Sequence, residues 1–392
     1  MSKSSAGHFG GVLAAVTPRQ RRGAIAAMAG AVLAAAAVVI AIHRPPPPGP
    51  VAILSGPGGR ATCSTAFSPG GTVLAVASCH DSVFLWDVAA RRWIATLVSP
   101  GCPDGRQVVF SPDGKTLALF SGSRPATCVW DVGARRETTL TDPGPPRHFA
   151  YNGTQGAFSP DGKTLAVDDP NENIYLWDLA TRRVAATVPV SGDCGGLCPV
   201  AFSPDGAMLA VGQSDDSGAH IYLWDVAARR WAATLTDPSN TPLGSGVNSL
   251  AFSPDGILAV GDEHDRAYLW DVAARKLTAT FTPPVNEAAG NAFISKGPAD
   301  GGPYPGPGLF DQCVTAVLSP DGTILAAGMD FGYGTYLYNV ATGERFATLT
   351  DPGGDITQAP ALTLSPDGKM LAVTDANART YLWRLPRQPP AA

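Results

Sequence analysis

Along most of this chain apolar residues fall in runs of three to six, parted by polar turns rich in Gly and Pro. One unit shows the order. A run ends at Phe202, the turn Ser203-Pro204-Asp205-Gly206 follows, and Leu209-Ala210-Val211 opens a second run. A third run ends in Leu223-Trp224-Asp225, a turn carries Arg229-Arg230, and a fourth run ends in Ala233-Thr234-Leu235. Runs this short, bounded by turn residues, predict strands, here named a to d. Pro presets φ in the a–b turn and Gly supplies the positive φ a tight hairpin needs. Strands b and c are continuously apolar where a half-exposed strand would alternate, which predicts cover on both faces.

The unit recurs. Ser-Pro-Asp-Gly begins at Ser111, Ser159, Ser203, Ser253, Ser319 and Ser365, and Ser68-Pro69-Gly70-Gly71 is a seventh copy differing at one position. The aromatic residue of the third run is Trp86, Trp130, Trp177, Trp224, Trp270, Tyr338 and Trp383 in turn. A four-stranded unit repeated at this period predicts an all-β, seven-bladed β-propeller over residues 51–386. The last unit stops after its strand c, while Val51-Ala52-Ile53-Leu54 matches the end of a strand d. The N-terminal segment is therefore expected to close the ring and remove the open sheet edges.

These Leu-Trp-Asp units resemble WD-repeat proteins, specifically a bacterial, membrane-anchored type. The resemblance covers residues 51–386 and implies a protein-binding platform without naming a ligand. It departs from the family in two places. No unit opens with the Gly-His pair, and the Asp expected ahead of strand c is missing, although Asp81 and Asp265 lie one residue nearer the Trp. The family's side-chain hydrogen-bond network is thus expected to be incomplete.

Ahead of the repeats the pattern changes. Gly23 to Ile42 is an uncharged run of 20 residues with no polar face, long enough as a helix to cross a bilayer core of roughly 30 Å. It predicts one transmembrane signal-anchor helix over 23–42, after a basic segment 1–22 and before a Pro-rich linker 43–50. The Lys and Arg of that short segment keep it cytoplasmic and the propeller extracytoplasmic. Secretion after cleavage is the alternative, although the run exceeds a usual h-region and ends in a poor cleavage site. Residues 387–392 form a tail. All seven cysteines follow the anchor, where disulfides persist. The expected pairs are Cys63–Cys79, Cys102–Cys128 and Cys194–Cys198, with Cys313 left free. Four of the cations lie in the first 22 residues, so the formal net charge of −5 becomes about −9 for the rest. That balance argues against nucleic acid as a partner.

No phosphate-binding loop, metal-ligating spacing or nucleophile elbow occurs, so neither enzyme activity, cofactor nor metal is expected. In a propeller the b–c and d–a connections share one end, and the a–b and c–d turns share the other. The first end collects acids, with binding candidates Asp168, Asp169, Glu172, Asp215, Asp216, Asp262, Glu263 and Asp265, and with Asp142, Asp237 and Asp351 in the d–a loops. The c–d turns collect Arg-Arg pairs, an expected basic floor for anionic lipid headgroups. An insert, 283–312, carries Phe293 and Tyr304 and is longer than an ordinary connection. The function expected is a membrane-anchored, extracytoplasmic scaffold or sensor that binds protein partners. The alternative is an exported hydrolase or lyase using a carboxylate at the channel mouth.

Overall fold

Each Ser-Pro-Asp-Gly turn is closed by its own side chains. In the computed structural model of the protein, the Gly206 N–H donates to Ser203 O at 2.8 Å. Ser203 Oγ donates to Asp205 Oδ1 at 2.6 Å and accepts the Met208 N–H at 2.9 Å. All seven turn glycines take positive φ, between 66° and 86°. The structure describes residues 49–56, 61–122, 124–143, 155–169, 173–190, 198–215, 218–236, 246–262, 266–283, 314–329, 334–350, 361–374 and 379–386. The chain divides after Pro46, and the described residues all belong to the second unit.

Twenty-eight strands form seven antiparallel four-stranded sheets. In blade 1, strand a is Thr62–Phe67, b is Val73–Ser78, c is Ser82–Asp87 and d is Arg92–Val98. Blades 2 to 6 repeat the order with consecutive strands. Blade 7 takes its strand d from the other end of the chain. Ala52–Ser55 pairs with Arg379–Arg384 in the register Ala52↔Leu382 to Ser55↔Arg379, and the Val51 N–H donates to Leu382 O at 2.7 Å. The ring closes as the sequence predicts.

The core is shared out among the seams. Seven apolar clusters each join one blade to the next, as Leu85 and Leu97 of blade 1 meet Leu117 and Leu119 of blade 2. Strands b and c are buried on both faces, whereas strand d alternates, as in the exposed Arg183 and buried Val188 of blade 3. Burial of each such Leu stabilises by about 1.5–3 kcal/mol.

Strand a is innermost, and three seams are bridged there by side chains. Ser64 Oγ accepts the Val108 N–H at 3.2 Å, Gln107 Oε1 accepts that of Gly156 at 2.8 Å, and Ser249 Oγ accepts that of Ala316 at 3.0 Å. The three acceptors hold one repeat position, and each immediately follows a bulged residue: Cys63, Arg106 or Asn248. A bulge re-aims the side chains beside it, here with the acceptor reaching the next blade.

Two disulfides are fully described, Cys63–Cys79 and Cys102–Cys128. Both pairs are expected ones. Cys63 is the bulged residue of strand a, and Cys128 lies within strand c (Ala126–Asp131). Cys198 is also disulfide-bonded. Its expected partner Cys194, and Cys313, lie outside the described residues.

Candidate functional site

The a–b and c–d turns meet at one end of the ring, a–b turns near the axis and c–d turns at the rim. In each c–d turn the residue after the aromatic caps the backbone. Asp87 Oδ1 accepts the Ala90 N–H at 2.7 Å, and Asp131, Asp178, Asp225, Asp271 and Asn339 repeat the bond. The chain then enters the left-handed region at Arg91, Arg135, Arg182, Arg229 and Arg275, with φ of 51° to 57°, and at Gly343 in blade 6. Five arginines thus hold a conformation for which glycine is the unstrained choice.

The expected basic floor is zoned. Outside runs the arginine rim. Inside it, Asp113, Asp161, Asp205, Asp321 and Asp367 form an acidic collar with Asp255. The hydroxyl of the turn serine holds the first five below the usual carboxylate range, helped by backbone N–H groups. Lys115, Lys163 and Lys369 stand 3.8, 3.8 and 3.3 Å from their turn aspartates, exposed pairs that add little stability.

Neighbouring collar turns touch. A Cβ on Gly114 would stand 3.3 Å from Pro69 Cδ, one on Gly162 3.6 Å from Pro112, and one on Gly206 3.4 Å from Pro160. Gly368 lies likewise against Pro320, and Gly71 against Pro366 across the closing seam. Blade 5 breaks the series. Its turn is one residue short, since Ser253 precedes the Trp-paired Leu258 by five positions where Ser203 precedes Leu209 by six. A Cβ on Gly256 would meet nothing within 4 Å, and Gly322 faces Asp255 instead of a proline. A cleft of about 450 Å³ opens where Pro204 and Gly256 fail to meet. Leu223, Met208, Phe252 and Val272 line it, Ala232 and Ala233 form one wall, and Asp205, Asp255, Asp271 and Arg275 stand around it. Ala232 matches Ile94 of blade 1 in the register, so the small side chain adds to the opening. Both signals were in the sequence, as a missing residue and an Ala-Ala pair, and neither carries a motif.

At the opposite end, the acidic candidates that can be placed are turned inward. Asp168 is buried, and its Oδ2 accepts the Cys198 N–H at 3.0 Å, joining blade 3 to blade 4. Asp262 is buried too. Its Oδ1 accepts the Arg266 N–H at 2.8 Å and its Oδ2 accepts the Tyr268 hydroxyl at 2.9 Å. Asp142 is likewise buried. Asp169 and Asp215 are described only as strand residues. Glu172, Asp216, Glu263, Asp265, Phe293 and Tyr304 lie outside the described residues, as do Asp237 and Asp351. Asp168 and Asp262 thus tie loops to strands.

Comparison with known families finds the WD domain, G-beta repeat, over residues 49–87 and 237–271. The first match takes in the closing strand and blade 1 through Asp87, and the second ends at Asp271 of blade 5. Two blades of this seven-bladed propeller are thus similar to WD repeats. No curated protein matches it significantly. Within this propeller one indole is paired across a seam. Trp130 Nε1–H donates to Ser99 Oγ at 2.7 Å across the seam from blade 1. The buried Nε1–H groups of Trp177, Trp224, Trp270 and Trp383 have no acceptor among the described residues. Nor do those residues bring together a metal-ligating cluster, or contain a helix long and apolar enough to cross a membrane. Residues 23–42 lie outside them. Glu137, which burial holds above the usual carboxylate range, is on the outer strand of blade 2, away from the channel.

Proposed function

We propose that this propeller is a non-catalytic protein-interaction module, held at a membrane by residues 23–42 with its blades on the extracytoplasmic side. The observation that carries the binding role is the closed seven-bladed ring with blades similar to WD repeats, a fold consistent with a protein-interaction scaffold. The extracytoplasmic placement draws support from the disulfides within blades 1 and 2, bonds that persist in oxidising compartments. The partners are proteins, with no nucleic acid and no cofactor. The insert 283–312 is the segment of this proposal that contacts them.

Crosslinking in intact cells, followed by affinity purification of the full chain, tests the proposal. A membrane-impermeant biotinylation reagent should label the propeller without lysis, and discrete crosslinked partners should be depleted by deletion of 283–312. Labelling that requires lysis defeats the placement. Absence of any crosslinked protein defeats the binding role.

A further inference from the structure

We infer that the cleft between blades 4 and 5 is a peptide-docking pocket for an apolar side chain adjacent to a lysine or arginine. The inference rests on the reading of the chain as a protein-binding module and gives that reading a site.

Shape comes first. Six of the seven seams are stopped at this end by contact between adjacent a–b turns, and this one is left open. The opening of about 450 Å³ lies within the usual size of ligand pockets, and one aromatic or branched side chain with its backbone suits it. The interior is apolar, with Leu223, Phe252 and Val272 of the seam core reaching its surface beside Met208. These groups reward an apolar anchor and satisfy no polar one.

The rim selects charge. Asp205, Asp255 and Asp271 each commit Oδ1 internally, to Ser203, Ser253 and the Ala274 N–H respectively. Their Oδ2 atoms make no hydrogen bond among the described residues, and Arg275 is the cation among the lining side chains. Three carboxylates against one guanidinium favour a cationic group and disfavour phosphate or carboxylate ligands. An extended peptide presents such an anchor and an adjacent cation together, which a nucleotide or an acidic lipid headgroup does not.

The test is saturation-transfer NMR on the full chain with two probes, N-acetyl-Phe-Arg-amide and N-acetyl-Phe-Glu-amide. The arginine probe should bind about tenfold more tightly than the glutamate probe. Ala232→Ile, which installs the residue that blade 1 carries at this register, should weaken the arginine probe at least about tenfold by filling the cleft. Insertion of one Lys after Gly256, restoring the turn length of other blades, should do the same without lowering the melting temperature. If one variant fails to fold, the other decides. Joint Asp205→Asn, Asp255→Asn and Asp271→Asn should bring the two probes to similar affinity. No binding of the arginine probe, equal binding of both by the wild type, or indifference to the cleft-filling variants would overturn the inference. Any of these results leaves crosslinked partners in place, so a failure of the pocket is distinguishable from a failure of the binding role.

Discussion

Leu54, near the start of the described chain, stands opposite Thr380, near its end, and buries its side chain against Leu74 and Phe84 of blade 1. One residue thus completes the last blade and seals it to the first. Leu54→Ala should cost about 2–5 kcal/mol. Deletion of 51–57 should lower the melting temperature further and expose Arg379–Arg384 as an aggregating edge. Differential scanning calorimetry with light scattering checks both, and an unchanged melting curve would refute the closing role.

The five left-handed arginines predict an unusual gain. Residues other than glycine pay roughly 1–2 kcal/mol in this conformation, partly offset by the greater chain entropy of glycine when unfolded. Arg91→Gly, Arg135→Gly, Arg182→Gly, Arg229→Gly and Arg275→Gly should therefore each raise the melting temperature slightly, by about 1–2 °C. The same changes at the neighbouring strand residues Arg92 and Arg136 should not. Thermal denaturation of these five variants beside the two neighbour variants separates backbone relief from loss of charge.

Ser99 and Trp130 give a seam-specific prediction. Their 2.7 Å bond is buried, so Ser99→Ala leaves an indole N–H without its acceptor and should cost about 1–3 kcal/mol. Trp130→Phe in the same background should recover part of that loss, because donor and acceptor are then both gone. A double-mutant cycle by urea denaturation measures the coupling, and additive losses would show that the bond contributes nothing.

Acid should unpick the collar. The serine hydroxyls and turn N–H groups hold Asp113, Asp161, Asp205, Asp321 and Asp367 below their ordinary pKa of 3.8. A depressed folded pKa means that the stabilisation is fully present above the unfolded value. It is lost as pH falls below about 4 and through the folded value. Asp→Asn at these five positions should lower the melting temperature at pH 7, and the deficit should vanish towards pH 2. A deficit independent of pH would mean that the charge plays no part.

The blades were legible because their signals are local and repeated. Pro69 and Gly71, or Pro204 and Gly206, declare a hairpin within four residues, and Trp86 or Trp383 marks the strand that follows. The first disulfide pairs were legible too, from blade positions, though the bulge that turns Cys63 towards Cys79 leaves no trace in residue type. Burial of Asp168 and Asp262 could not be read. An aspartate after an apolar strand looks the same in sequence whether it meets solvent or receives Cys198 N–H or the Tyr268 hydroxyl from elsewhere. The cleft was hidden differently. It arises from one residue missing after Gly256 and from the small size of Ala232, and both acquire meaning only when adjacent turns are seen to touch.

The shortened turn of blade 5 also sets a direction. A ring of seven like blades would offer an approaching molecule seven nearly equivalent rotational poses, a degeneracy equal to RT ln 7, about 1.1 kcal/mol at 25 °C. One deleted residue marks a single seam and gives this end of the ring a fixed zero from which every other blade can be counted. A complex formed there has one rotational address, and the blades that flank it, from the arginine rim to the indole seams, become distinguishable neighbours of that address.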